Sequence, residues 1–158
     1  MLLAMNARLL LLTLCTLPFQ LLAQADELAA VNSTFSGSVV FKIDKKQQLV
    51  MDFFDAGGRF RQDIATVEEL DPDAISFSPE ENAVVLKCRA DKEKCMTKEI
   101  FKLDVVRLSS RSTLPRPGSD VAGEAAIAQL KALLLASENA LMAFPGETTT
   151  RRSRKSDR

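Results

Sequence analysis

The chain has 158 residues, 46% of them apolar and 27% charged, and its 21 basic and 21 acidic residues leave no formal net charge. This length and composition predict one globular domain. The sequence contains no His, Trp or Tyr, and its nine aromatic residues are all Phe. The missing histidine excludes a Ser-His-Asp triad, a Cys-His nucleophile and an imidazole-ligated metal. We therefore expect no enzyme, and we nominate no catalytic, cofactor-binding or metal-binding residue.

Residues 1–25 have the three-part layout of a secretory signal peptide. Arg8 precedes a Leu-rich stretch, and the small residues Ala23 and Ala25 follow it. This predicts cleavage between Ala25 and Asp26, and export of the mature chain to a periplasm or to the outside of the cell.

Two other interpretations of this segment stay open. An uncleaved N-terminal anchor would have to tolerate Arg8 and Gln20 inside the membrane, and a lipoprotein anchored at Cys15 lacks the small residues that normally precede such a site. No second long apolar stretch follows, so we expect no transmembrane segment in the mature chain.

The next part of the chain has the pattern of an antiparallel β meander, because short extended segments alternate with turn residues. The segment 59–64 is expected to bury Phe60 and Ile64 and to expose Arg59, Arg61 and Asp63. Residues 65–70 fit either continued strand or a short helical turn. The seven expected strands cover residues 38–44, 49–54, 59–64, 75–78, 84–88, 95–101 and 105–108.

Once the leader and its Cys15 are removed, two cysteines remain, Cys88 and Cys95. An even number of cysteines in an exported chain predicts a disulfide, here across the loop of one expected hairpin. The chain-entropy model gives such a short loop a stabilisation of roughly 2.5 kcal/mol. A redox pair or a metal pair is the alternative, although the spacing is not C-x-x-C and two thiols do not complete a zinc site.

A helix is expected over residues 119–144, capped by Ser119 or Asp120 and stopped by Pro145. Its apolar face should pack on the sheet or close one end of it, and a partner-binding or membrane-surface helix is the alternative. That face consists of Ile127, Leu130, Leu133, Leu134 and Leu141.

These elements predict an α+β domain, a β meander of about seven strands in a barrel or sandwich, closed by one C-terminal amphipathic helix. The expected organisation is a signal peptide at 1–25, a lead-in at 26–35, the domain at 36–146 and a basic disordered tail at 147–158. Over residues 36–144 the order of elements resembles the pleckstrin-homology-like superfold, although no sequence motif carries the likeness.

That resemblance implies two roughly orthogonal sheets with the helix plugging one end, and a role in binding phosphoinositides, peptides or proteins. Lys45 and Lys46 would then lie in the first hairpin loop, where such domains bind phosphoinositides. The second expected fold is an open half-barrel over a helix, similar to cystatin-like domains and bacterial lipid carriers.

Three charged or polar features complete the sequence. The acidic residues of 68–73, with Glu80 and Glu81, are expected to be solvated turns, with weak calcium binding or paired-carboxylate glycoside hydrolysis as alternatives. Asn32 begins an N-x-[ST] sequon. The tail carries five basic residues and one acid in its last eight, which suits an anionic surface. The basic residues of the tail are Arg151, Arg152, Arg154, Lys155 and Arg158.

The sequence thus predicts an exported, non-enzymatic binding or interaction module for an unknown protein or envelope component, with no nucleic acid partner. The alternative is a carrier that holds a small apolar ligand or lipid between the sheet and the C-terminal helix. Its groove would be lined by the helix and by Phe41, Phe53, Phe54 and Phe60. Residues 26–150 carry 15 basic and 20 acidic groups, so the domain is acidic at −5 and the tail is basic at +4.

Overall fold

The computed structural model describes residues 17–118, 120 and 122–143. Most of the expected signal peptide, the candidate cap Ser119, the helix stop at Pro145 and the five basic tail residues lie outside this range. In the described residues, one α-helix precedes the strands along the chain, α1 (Leu17–Thr34), and a second follows them, α2 (Glu124–Ala143). The strands are β1 Val39–Ile43, β2 Gln48–Asp55, β3 Gly58–Thr66, β4 Ser76–Ser78, β5 Ala83–Lys87, β6 Met96–Ile100, β7 Val105–Ser109 and β8 Arg111–Pro115.

The strands form two antiparallel sheets, one of five strands in the order β1-β2-β3-β6-β7 and one of three in the order β4-β5-β8. The α+β fold class with a C-terminal helix packed on the sheets is confirmed, and the sheets do not close into a barrel. The undecided segment 65–70 contains both expected structures: β3 continues to Thr66, and one 3-10 turn follows at Val67–Glu69.

The described strands number eight rather than seven, because the sequence prediction missed β8. Ser112 and Leu114 are fully buried while Arg111 and Pro115 are exposed, which is the alternation of a half-buried strand. Pro115 is accommodated because it is the last residue of an edge strand, where its missing N–H breaks no ladder.

The disulfide between Cys88 and Cys95 is confirmed, with an S–S distance of 2.09 Å and Cα atoms 5.7 Å apart. The expected hairpin around it is wrong. Cys88 follows β5, which pairs with β4 and β8, whereas Cys95 precedes β6, which pairs with β3 and β7. The disulfide therefore ties the two sheets together at the point where the chain crosses between them.

Residues 26–34, expected as a lead-in, belong to α1. Their Ala, Leu and Glu residues favour a helix, and Leu28, Val31 and Phe35 follow one another at helical spacing toward the core. The expected cleavage site between Ala25 and Asp26 thus lies within the helix. Cleavage there stays a prediction. None of the helices in the described ranges is long and apolar enough to span a membrane.

The C-terminal helix α2 begins at Glu124, five residues later than expected. Gly123 has φ +69°, and a Cβ there would lie 2.9 Å from Val84 Cγ2, so the chain needs glycine where the helix meets the three-stranded sheet. The carboxylate of Asp120 accepts a hydrogen bond from the Ala126 amide at 3.0 Å, which is the expected capping role. Leu130, Leu133 and Leu134 are at most 1% exposed.

Candidate binding groove

A groove of about 450 Å³ opens between the two sheets, beside the turn that joins β2 to β3. Residues from the five-stranded sheet form one wall, and the β4–β5 turn and the end of β8 form the other. About half of the lining is apolar, and three of the nine phenylalanines take part. The groove is lined by Ser38, Phe53, Phe54, Phe60, Arg61, Glu81, Asn82, Ala83, Thr113, Pro115 and Arg116.

A β-bulge brings Phe60 to this groove. Phe53 pairs with Arg61 and Phe54 with Arg59, so Phe60 has no partner on β2. A bulge of this kind changes the alternation of side chains along the strand. The rings of Phe53 and Phe60 lie with their centroids 6.4 Å apart and form an aromatic pair in the groove wall.

The bulge also explains why the expected faces of β3 are wrong. Arg61 and Asp63 were expected to be exposed, yet Asp63 is fully buried and the Arg61 side chain is only 19% exposed. Asp63 lies opposite Met51 on one side and Lys98 on the other, in the row of side chains that faces the second sheet. Polar residues thus occupy the inner face where the alternation predicted apolar ones.

The Arg61 guanidinium is held in the groove wall by three contacts. Its Nε lies 3.1 Å from Asp63 Oδ1, its Nη2 donates a 2.9 Å hydrogen bond to the Thr113 carbonyl, and its Cζ lies 3.6 Å from the centroid of the Phe53 ring. A cation over an aromatic ring is attracted by the ring's quadrupole. Burial lowers the pKa of Arg61, Asp63 opposes this change, and Arg107 adds to it. The guanidinium therefore has one fixed position.

Asp63 has two further partners behind the groove. Ser112 Oγ donates a 2.5 Å hydrogen bond to its Oδ2, and the ammonium of Lys98 lies 3.7 Å from the same oxygen. The Lys98 side chain is only 8% exposed. Burial lowers its pKa, Asp63 acts in the opposite direction, and three nearby arginines, Arg61, Arg107 and Arg111, lower it further. A buried carboxylate surrounded by buried cations therefore supports the groove wall.

The opposite wall has a paired acid and a partly unpaired base. Glu81 Oε1 accepts a 2.6 Å hydrogen bond from Arg111, and its Oε2 lies 3.4 Å from the Thr113 hydroxyl that donates to it. Arg116 Nη1 makes a 3.3 Å hydrogen bond to the Asp120 carbonyl, while its Nε is buried and has no partner in the described part of the chain.

A second buried aspartate, Asp52, lies on the outer face of the same sheet and away from the groove. It accepts hydrogen bonds from Lys42 at 2.8 Å, Gln62 at 2.7 Å and Arg59 at 3.1 Å. Burial alone would raise the pKa of Asp52, but these hydrogen bonds together hold it below its ordinary value of 3.8. Neither aspartate is recognisable as important from the sequence, because a single Asp in a strand carries no distinctive signal.

The two edges of the five-stranded sheet differ. At the β1 edge, the Asn32 side chain accepts a hydrogen bond from the Phe41 amide at 2.7 Å and donates one to the Phe41 carbonyl at 3.0 Å. Its Nδ2 also donates to the Leu28 carbonyl, so a glycan on the Asn32 sequon would replace one of the two Nδ2 hydrogens that make these bonds. At the β7 edge, by contrast, Leu103, Val106 and Leu108 are 61–68% exposed.

The remaining sequence-based candidates are dispersed. The acidic turn residues bind separate partners: Glu69 lies 3.7 Å from Lys92, and Asp73 contacts Lys131. Within the described ranges, no three His, Cys, Asp or Glu side chains are close enough to hold a metal ion. Of the four phenylalanines expected to line a ligand groove, three line the one between the sheets and Phe41 lies in the core.

The chain was compared with known proteins at three levels. It matches no protein-family model, no curated protein and no solved structure. The likeness to the pleckstrin-homology-like superfold therefore stays a prediction from the order of elements.

Proposed function

We propose that this chain is an exported, non-enzymatic binding module and that its ligand site is the groove between the two sheets. The ligand in this proposal has an apolar part that packs against Phe54 and Phe60. The module holds its ligand by shape and fixed charges, and no group of the groove has to react.

The groove itself carries the proposal. Its volume of about 450 Å³ is within the range of small-molecule sites, which are concave and mostly apolar with a few oriented polar groups. Arg61 is such a group, because Asp63, Thr113 and Phe53 fix it before any ligand arrives. Pre-organised groups bind with a smaller loss of conformational entropy.

Export is supported by two independent features. The first 25 residues have the layout of a signal peptide. The Cys88–Cys95 disulfide is the form that cysteines take in an oxidising compartment and is rare in a reducing cytosol.

The carrier hypothesis placed the ligand between the sheet and the C-terminal helix. Leu130, Leu133 and Leu134 of α2 are at most 1% exposed and belong to the hydrophobic core cluster, so protein side chains already occupy that position. The groove between the sheets is therefore the better ligand site.

A second candidate function is docking of an extended partner segment on the β7 edge. Val106 is 66% exposed and Leu108 61% exposed on a strand that pairs with β6 on one side only. Unpaired strand edges readily accept another strand.

A titration of the isotope-labelled full chain with a library of uncharged aromatic and aliphatic fragments tests the two surfaces, read from amide chemical shifts. We expect shifts at Phe53–Arg61, at the β4–β5 turn and at the end of β8. The substitution Phe54→Asp, at a groove residue that is 37% exposed, should weaken binding at least tenfold. The matched substitution Leu108→Asp on the β7 edge should change it less than twofold.

Two other outcomes of the titration would contradict the groove as the ligand site. Shifts confined to residues 103–109 that Leu108→Asp abolishes would replace the groove by the β7 edge. If no fragment perturbs either region, both binding surfaces are wrong.

A further inference from the structure

We infer that the groove binds a ligand with an oxyanion head group, a carboxylate or a phosphate, next to its apolar part, and that Arg116 and Arg61 bind this head group. This rests on the proposed function and adds the chemistry of the ligand.

Arg116 is the first observation. Its Nε is buried without an acceptor, and within the described ranges no carboxylate lies at ion-pair distance from its guanidinium. A buried donor without a partner is unfavourable, and an acceptor on a ligand would satisfy it. A guanidinium presents five N–H donors in a planar fork that fits carboxylate and phosphate oxygens.

Arg61 supplies further donors on the facing wall. Nε lies 3.1 Å from Asp63 Oδ1 without forming a hydrogen bond, Nη2 donates to the Thr113 carbonyl, and Nη1 has no acceptor among the described residues. Because Phe54 and Phe60 line the same groove, an apolar group next to the ligand's head group would contact a ring while the oxyanion contacts Nη1.

The charge balance of the groove favours an anion. Glu81 is the single acid among the lining residues, and Arg111 and Thr113 already bond both of its oxygens. Asp63, the partner of Arg61, is shared with Lys98 and Ser112. Positive charge is therefore in excess at this place, although residues 26–150 carry five more acidic than basic groups. Non-specific attraction to the whole domain would select cations, so anion binding must come from the groove.

Three probes with the same phenylpropyl body separate the head groups: 3-phenylpropionate, 3-phenylpropyl phosphate and the uncharged 3-phenylpropanamide. Each is titrated into the full chain at constant ionic strength, with amide shifts and calorimetry as readouts. We expect at least one of the two anions to bind tenfold or more tightly than the amide, with shifts at residues 60–61 and 113–116. The tighter of the two anions identifies the head group.

Matched charge variants locate the contact. The substitution Arg116→Gln should remove most of the preference for the anion over the amide. Arg59→Gln removes the same charge beside Asp52, outside the groove, and should change the preference less than twofold. Arg116 packs against no buried ion pair, so we expect both variants to fold.

The outcomes separate the two levels of the proposal. Equal binding of amide and anions in the groove overturns the head-group inference and leaves the proposed function standing. A preference that survives Arg116→Gln, or that Arg59→Gln reduces equally, also overturns it. Failure of all three probes to bind overturns both.

Discussion

Asp52 and Asp63 are two buried aspartates on opposite faces of the same sheet, and their surroundings differ. Asp52 is 1% exposed, but its cationic partners Lys42 and Arg59 have side chains that are 60% and 45% exposed. Asp63 is fully buried, and its partners Lys98 and Arg61 have side chains that are only 8% and 19% exposed. The first carboxylate is covered by cations that reach in from solvent. The second is enclosed together with its cations.

The difference shows that burial of a carboxylate does not by itself determine its importance. Water can solvate Lys42 and Arg59 if Asp52 is lost, so the sheet would tolerate that loss. Lys98 and Arg61 have little access to water and depend on Asp63 for compensation of their charge. Because Arg61 also lines the groove, the enclosed cluster connects the stability of the core to the geometry of the binding site.

The largest expected effect is that of Asp63→Asn. It leaves two buried cations near each other without a counter-charge, and breaking a buried ion pair in this way costs about 3 kcal/mol or more of unfolding free energy. Asp52→Asn should cost about 1 kcal/mol, because its partners are exposed. Urea unfolding monitored by far-UV circular dichroism measures both.

A double variant checks the cause of the first effect. In Asp63→Asn combined with Lys98→Met, one of the two uncompensated cations is gone, so stability should partly recover. If Asp63→Asn and Asp52→Asn cost the same within 0.5 kcal/mol, a difference comparable to the usual error of additivity, the two clusters are equivalent and the contrast drawn above is wrong.

A smaller effect is expected for Ser112→Ala. Its hydroxyl donates a 2.5 Å hydrogen bond to Asp63 in a fully buried position, and a hydrogen bond to a charged group contributes about 2 kcal/mol. Lys42→Met, which removes an exposed partner of Asp52, should cost about 0.5 kcal/mol or less. Equal losses in the two variants, measured by the same unfolding assay, would contradict the importance of enclosure.

A fourth prediction concerns α1 and the expected cleavage after Ala25. Gln24 Nε2 donates a 3.1 Å hydrogen bond to the buried Ser137 hydroxyl. In the uncleaved chain Ser137→Ala should cost about 1 kcal/mol, because the buried amide loses its acceptor. In a chain that begins at Asp26 the same substitution should be nearly neutral. A cost in both chains would mean that Ser137 acts through another contact.

The sequence predicted the elements better than it predicted their faces. Alternation located seven strands, and helix-forming residues with an Asp cap located α2. The expected pairing of β5 with β6 was wrong: sequence neighbours usually pair, but here the chain crosses between the two sheets from Cys88 to Cys95. The faces of β3 were wrong because alternation cannot show the bulge at Phe60.

The candidate site was predictable only in part. The absence of Tyr and Trp left Phe as the aromatic lining, and three of the four expected phenylalanines do line a groove. The roles of Arg61 and Arg116 could not be derived, because both depend on which residues meet in the groove: Arg61 bonds the distant Thr113, and Arg116 lies beside the β4–β5 turn in the opposite wall. Charged residues in a strand normally indicate a solvent-exposed face. No feature of the neighbouring sequence distinguishes a strand that carries a buried ion cluster from a strand with an exposed charged face.

The last expected effects are two pH dependences of the same sign, one at each end of the pH range. At acid pH, Asp52 has a folded pKa below its ordinary 3.8, so the unfolded chain takes up a proton first as the pH falls. The contribution of the Asp52 carboxylate to the unfolding free energy is complete above pH 3.8, and it is lost as the pH falls through the folded pKa. Asp52→Asn should therefore flatten the acid limb of the stability curve, measured by urea unfolding at several acid pH values. If the acid limb of the stability curve is unchanged in Asp52→Asn, the lowered pKa of Asp52 is contradicted.

At alkaline pH the enclosed cluster gives a change of the same sign but of another origin, because a buried charge is removed there. Lys98 has a folded pKa below its ordinary 10.5, so between these two values the unfolded chain binds more protons than the native one. Unfolding free energy must then rise with pH across that interval, since burying a neutral amine costs less than burying an ammonium. Urea unfolding of the wild type and of Lys98→Met at several pH values up to 10.5 isolates the contribution of Lys98 to this pH dependence. We expect the wild type to gain stability relative to the variant as the pH rises. A wild type that loses stability relative to Lys98→Met over this interval would mean that Asp63 dominates, and that Lys98 is as well compensated as the exposed cations of Asp52.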